Sequence, residues 1–179
     1  MVELFRVAIK DRSDAHVALR KILSPYLSES PEKIRFEIAS SGKPLHSKIF
    51  FSLSHSKNLA LIAVSQKMPV GIDIEQVRPV PSKLLIAKRF FAQSEFKRLE
   101  SLSESCQQSA FFDLWTAKEA LTKAKGVRLF DELSQEVIWE HVLPIGGLEG
   151  YVGHLAFQGR FDLLEPLHVS DFSIFGSPD

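Results

Sequence analysis

Hydrophobic residues recur along this chain with two different spacings, and the spacing changes near residue 80. Alternation by two predicts strands in the first part. "VELFRVAI" (2–9) is one such segment. "KIRFEIAS" (33–40) alternates Ile34, Phe36 and Ile38 with Arg35 and Glu37. "KIFFSLSHSKNLALIAVS" (48–65) reads as two strands around a polar turn at His55 to Asn58. A further strand covers 70–76, after a short connection at Gln66 to Pro69. "SSGKP" (40–44) is a turn. One early helix interrupts this pattern: "SDAHVALRKIL" places Ala15, Leu19, Ile22 and Leu23 on one face, with Ser13 as its N-cap and a break or kink near Pro25.

After "VRPVPS" the period becomes helical. "KLLIAKRFFAQSEFKRLESL" predicts two helices broken near Phe91 to Ser94, and "ESCQQSAFFDLWTAKEALTKAKG" predicts a long helix closed by Gly126. "EVIWEHVLP", "GYVGHLAFQGRFDLLEP" and "HVSDFSIFG" then read as short strands. There is no internal repeat, low-complexity tract or long linker. Two packed lobes are expected, 1–69 and 70–179, meeting near residue 70.

Composition narrows the function. The 179 residues carry 22 Lys+Arg and 22 Asp+Glu, so the formal net charge is zero. A general nucleic-acid or membrane-surface binder needs a net basic footprint, and neither is expected. Cys106 is the single cysteine, which excludes an intramolecular disulfide and a cysteine-based zinc site. "MVELFRVAIKDR" has too short an apolar run for a signal peptide, and no stretch reaches the roughly 18–20 apolar residues of a membrane span. A cytoplasmic protein is expected.

The chemistry begins at "PVGIDIEQVRP" (69–79), where Asp73 and Glu75 interrupt a strand. Strand residues two apart share a face, about 6.6 Å apart along the chain. Both acids therefore lie on one side, and Ile72 and Ile74 on the other. On the long helix, Phe111, Leu114, Trp115 and Leu121 form an apolar stripe, with Glu119 and Lys123 at its edge and Lys118 inside it. Each motif has a plain reading: a solvated edge strand for the first, an i,i+4 surface pair for the second. Taken together, three carboxylates and a lysine suit a hard cation and a phosphate-bearing ligand. "FSLSHS" (51–56) could add hydroxyl and imidazole donors for phosphate, or be a polar turn. "GKP" could likewise be only a turn. His46, His141, His154 and His168 lack ligand spacing, and no HExxH, Walker, GxGxxG or GxSxG motif occurs.

The ordered motifs "GKP" (42–44), "FSLSHS" (51–56), "VGIDIE" (70–75), "IAKRFFAQSEF" (86–96) and "WTAKEALTKAKG" (115–126) resemble the 4′-phosphopantetheinyl transferase superfamily. The likeness is narrower to its surfactin-synthetase-activating type and covers residues 11–126. It implies an α+β fold of two similar lobes related by a pseudo-twofold, each a helix on a small, mainly antiparallel sheet. Coenzyme A would bind between the lobes, and its phosphopantetheine arm would move to a serine of an apo acyl or peptidyl carrier protein, releasing 3′,5′-ADP. The resemblance assigns Asp73, Glu75 and Glu119 to Mg²⁺, Glu119 to the carrier serine's proton and Lys123 to phosphate. It assigns Lys43, Ser54 and His55 to coenzyme A phosphates, and Glu95 to the neighbourhood of the metal. Arg12, Arg20 and Lys21 are candidates for the adenosine 3′-phosphate. Ile72, Ile74 and Trp115 would wall the site, and a monomer is expected.

Two departures accompany the likeness. The segment ahead of the first helix and the region after Gly126 are both shorter than the family usually has, which could weaken adenine binding or carrier docking. Lys57 stands where the family commonly has glycine. Two other functions compete with transfer: a Mg²⁺-dependent hydrolase of pyrophosphate bonds, and a non-catalytic binder of coenzyme A or of a carrier.

Overall fold

A computed structural model describes residues 2–158 and 169–174. The chain is α+β. A first sheet has the order β4-β5-β1-β9, built from β1 (Val2–Ala8), β4 (Phe50–Ser56), β5 (Leu59–Ser65) and β9 (Val169–Phe172). A second sheet has the order β6-β8-β7, from β6 (Val70–Gln76), β7 (Val142–Pro144) and β8 (Tyr151–Phe157). All pairings are antiparallel except β1 with β9. One element from beyond residue 70 thus lies in the first sheet. A small hairpin of β2 (Glu37–Ile38) and β3 (Pro44–Leu45) stands apart.

Alternation on β5 explains how the layers stack. Ala60, Ile62 and Val64 face α1 (Arg12–Leu27), while Leu61 and Ala63 face the second sheet through Ile72, Ile74 and Leu155. β5 is apolar on both sides because both sides are covered. The far face of the second sheet carries α4 (Glu104–Lys125), flanked by α2 (Lys83–Phe90), α3 (Gln93–Glu100) and the short α5 (Leu129–Glu132).

Several expectations change in detail. The first helix is capped by Asp11, not Ser13, in a capping box with Asp14, and it runs on through Pro25. The strand expected over 33–40 shrinks to two residues: Ile34 is buried, but Ile38 is 68% exposed and packs on nothing that would extend the ladder. His55 and Ser56 belong to β4, leaving only Lys57 and Asn58 to turn the hairpin. Lys57 has φ 56°, the left-handed conformation that glycine adopts freely. That is why a glycine suits this position. Part of "EVIWEHVLP" is a single 3₁₀ turn, Trp139–His141. His168 and the end of "GYVGHLAFQGRFDLLEP" lie outside the described residues.

The face of α4 that meets the sheet is made of small residues. Ala117, Ala120 and Ala124 are buried there, whereas Leu114 and Leu121 are only half buried. Opposite them stands Gly71, where a Cβ would come 1.9 Å from the Ala120 carbonyl oxygen and 2.4 Å from the Ala124 nitrogen. Helix backbone and strand backbone touch, so side chains at the helix edge reach across β6.

Candidate active site

Two contacts carry that reach. Lys123 Nζ donates to Asp73 Oδ1 at 2.7 Å and to the Ile72 carbonyl at 3.1 Å. Glu119, one turn earlier, lines the same cleft. The acids predicted from the strand and from the helix thus converge.

Asp73 is held from the first sheet as well. Ser54 Oγ donates to Asp73 Oδ1 at 2.7 Å, and Ser56 Oγ donates to Glu75 Oε2 at 2.9 Å. Ser52 Oγ and Ser56 Oγ also accept from the backbone of Ile72 and Gln76, at 3.0 and 3.1 Å. β4 and β6 share no backbone ladder; a row of three hydroxyls joins them. The Ser-x-Ser-x-Ser pattern in "FSLSHS" is its sequence signature. Ser54 therefore works on Asp73 as well as lining the cleft, and Ser52 and Ser56 were missed because one strand gives no hint of its partner.

The acids repel one another. Burial, then the charges of Asp73 and Glu75, push the Glu119 carboxyl up to about 7, against the pull of Lys123. Burial also raises Asp73, and Lys123 and Ser54 oppose it. Asp73 Oδ2 is buried with no hydrogen-bond partner. Such an oxygen is costly unless something else meets it. A hard divalent cation would satisfy it and relieve Glu119, and carboxylates are the donors such a cation takes. Among the described residues, no group of three or more His, Cys, Asp or Glu side chains is already gathered as a metal cage. The chemistry of the donor set fits a cation; Asp73 is held by Ser54 and Lys123 and Glu75 by Ser56 and Arg78 instead.

A cleft of about 490 Å³ opens beside these groups. Arg12, His16, Lys43, His55 and Lys123 line it, and Arg128 and Phe130 face in from the segment after α4. Burial and the neighbouring Arg12 hold both imidazoles below their ordinary pKa; His55 is also lowered by Lys123, and His16 by His55. A wall of this sign suits an anion. Lys43 Nζ donates to the carbonyls of Val70 at 2.9 Å and Lys123 at 2.6 Å, tying the Gly42 turn to β6 and α4. Burial, then Lys123, lower it to about 8. His16, Arg128 and Phe130 were not singled out from sequence. His16 is far from the acids along the chain, and Arg128 and Phe130 lie just past the Gly126 cap, where no strand or helix period marks them.

Other expected residues lie elsewhere. The Arg20 guanidinium donates to the Ile34 carbonyl and sits 4.9 Å from the Phe36 ring centroid; Lys21 bonds the Ile174 carbonyl at 3.2 Å. Neither lines the cleft. Glu95 forms an ion pair with Lys118 at 2.6 Å and accepts from the backbone of Ala92 and Val137, at 3.1 and 2.8 Å. It belongs to the packing of α3 on α4. Trp115 stacks with Phe111, centroids 6.0 Å apart, and packs on Phe91 in the aromatic cluster. Ile72 and Ile74 face the core between the sheets. None of these three walls the cleft.

The sequence model of the 4′-phosphopantetheinyl transferase superfamily matches residues 69–148, which include Asp73, Glu75, Glu119 and Lys123. Over residues 69–148 the chain is similar to that superfamily. It is 44% identical over 114 residues to the 4′-phosphopantetheinyl transferase HetI of Nostoc sp. (strain PCC 7120), covering 60% of this chain and 48% of that protein. It is 33% identical over 124 residues to the 4′-phosphopantetheinyl transferase Sfp of Bacillus subtilis, covering 64% and 54%. To the 4′-phosphopantetheinyl transferase AcpT of Salmonella typhi it is 35% identical over 118 residues, covering 64% and 60%. The aligned part spans about half the length of the first two relatives. Among the described residues, no helix is long and apolar enough to cross a membrane.

Proposed function

We propose that this chain transfers the 4′-phosphopantetheine arm of coenzyme A to a serine of an apo acyl or peptidyl carrier protein, in the manner of the surfactin-synthetase-activating type. The observation that carries the reading is the meeting of Asp73 from β6 with Glu119 and Lys123 from α4 at the rim of a cationic cleft. The two sheets with their helices are read as two lobes, coenzyme A as the ligand between them, and the protein as a cytoplasmic monomer.

In this reading Asp73, Glu75 and Glu119 would hold Mg²⁺, which when bound supplies Lewis-acid polarisation of the diphosphate and offsets its charge. The remaining work falls to the chain. Arg12, Lys43, His55 and Lys123 receive the phosphates of coenzyme A along the cleft wall. Glu119 takes the proton of the carrier serine, directly or through a water. The serine oxygen bonds the phosphorus that bears the pantetheine arm, and the bond from that phosphorus to the bridging oxygen breaks. The electron pair leaves with 3′,5′-ADP, whose new charge faces Lys123. Orientation and charge matching supply most of the acceleration in phosphoryl transfer.

Intact-mass analysis of a panel of apo carriers, incubated with coenzyme A, Mg²⁺ and this protein, tests the reading. Transfer adds one phosphopantetheine to the carrier and releases 3′,5′-ADP only when carrier is present. Carrier-independent breakdown of coenzyme A would indicate a hydrolase. Binding of coenzyme A with no change in either partner would indicate a binder.

A further inference from the structure

His154 sits directly across from Asp73 in the register of β6 and β8, so both side chains leave the sheet on the face that α4 covers. It is 1% exposed. Its Nδ1 lies 2.8 Å from Thr116 Oγ1, its Nε2 lies 3.4 Å from Asp113 Oδ1, and the Trp139 ring meets it edge-on at 5.9 Å. Thr116 and Asp113 belong to α4, the helix that carries Glu119 and Lys123. His154 thus stands as a buried polar side chain beside the alanines that seat α4.

Counting protons defines the contact. Thr116 has a single hydroxyl proton and three acceptors in reach: Nδ1 of His154 and the Phe112 carbonyl, each at 2.8 Å, and the Asp113 carbonyl at a longer 3.4 Å. Burial keeps the imidazole below its ordinary pKa, against Asp113 and Asp73. A neutral ring carries one N–H. With that proton on Nε2, it faces the Asp113 carboxylate, and Nδ1 accepts from Thr116. The opposite tautomer would set a bare Nε2 against a carboxylate. The Phe112 carbonyl does not need the threonine, because it is already an acceptor in the helix ladder. The Thr116 hydroxyl is thereby committed across the interface, to β8.

We propose that His154 is a positioning residue: its bond to Thr116 fixes the rotation and height of α4 on the second sheet, and so sets where Glu119 and Lys123 stand relative to Asp73. The alanines of α4 fix distance rather than register, and the bonds of Lys123 and Lys43 to β6 lie at the C-terminal end of the helix, so Thr116 adds a directed bond at a second point along it. That bond lies one turn before Glu119 and is made to the strand residue opposite Asp73. A displacement near 1 Å at such a site costs about a hundredfold in rate.

The inference rests on the transfer reading only for its kinetic arm. Four single variants of the full chain, T116V, T116S, H154N and H154L, are compared in carrier modification and in the ¹H–¹⁵N correlation of the Lys123 ammonium, which is visible when Asp73 slows its proton exchange. T116V and H154L are expected to lose about tenfold or more in kcat with KM for coenzyme A within about twofold, and to lose the ammonium signal. T116S and H154N, which keep a polar atom at each end, are expected to stay within about threefold of the parent and keep the signal. The double variant H154L/T116V should lose no more than the worse single one, because both remove the same bond. Should H154L fail to fold, T116V, nearly isosteric, decides alone. A lowered melting temperature with kcat and the ammonium signal unchanged in T116V would overturn the proposal and leave His154 a packing residue. A parent protein that modifies no carrier would defeat the transfer reading, and the ammonium signal would still decide the role of His154.

Discussion

Two of the three lysines of α4, Lys118 and Lys123, stand five positions apart on its buried side, and each reaches a carboxylate on another element. Lys118 meets Glu95 of α3 at 2.6 Å; Lys123 meets Asp73 of β6 at 2.7 Å. The pairs are alike in chemistry and differ in how completely they are satisfied. Glu95 also accepts two backbone N–H groups, and Lys118 donates to the Gln135 carbonyl at 2.5 Å. Asp73 keeps one oxygen buried and unpaired, beside two further acids and an open cleft. A buried ion pair with every bond made is part of the scaffold. One with an oxygen left over is prepared for something that arrives later.

The largest effect should separate the two sides of this comparison. E119Q keeps the shape of the site but removes the base, and carrier modification should fall about 10²–10⁴-fold in a discontinuous mass assay, with melting unchanged or improved. K118M should do the reverse. It strands Glu95 without its cation and should cost about 3–5 kcal/mol in chemical denaturation, while the folded fraction keeps its turnover. K123M should sit between them, lowering kcat about 10–100-fold with a smaller loss of stability, since Lys123 is more exposed than Lys118 and its partner keeps Ser54. Equal kinetic losses in K118M and K123M would erase the distinction.

Much of this geometry is legible in the sequence, and the illegible part has a physical pattern. Period-two alternation placed Asp73 and Glu75 on one face of β6, and Gly126, with φ 73°, ends α4 where the glycine rule puts it. Both are local properties. The partners in long-range pairings carry no local mark: β9 beside β1, β6 as the strand that the β4 serines meet, the two carbonyls bonded by Lys43. Helical periodicity also misled, because it weighs large apolar residues. Trp115 and Phe111 do form a stripe, but it packs on Phe91, while the docking face is alanine set against Gly71. Lys118 looked anomalous within that stripe because its partner, Glu95, lies on another helix. Proximity in sequence to Arg12 carried Arg20 and Lys21 along as candidates, yet a helix turns them away within two or three turns.

A smaller effect is the pH dependence of stability without metal. Glu119 holds its proton more tightly folded than unfolded, because burial raises it to about 7. Folding stability should therefore fall as pH rises from the ordinary carboxylate range through about 7, then level. E119Q removes this loss, so its melting temperature should exceed that of the parent above pH 7 and match it near pH 5, by about 2–4 °C for each kcal/mol relieved. Added Mg²⁺ should stabilise the parent more at pH 8 than at pH 5.5, and E119Q less at both. A parent curve that is flat across this range would mean the three acids are not coupled.

The most direct test is a calorimetric titration of coenzyme A with and without Mg²⁺ into the parent protein, D73N and E95Q. Metal should tighten binding in the parent and in E95Q, and D73N should lose that gain while staying folded. If D73N keeps the full metal-dependent gain, or E95Q loses it equally, the unpaired oxygen of Asp73 is not where a cation and a diphosphate meet.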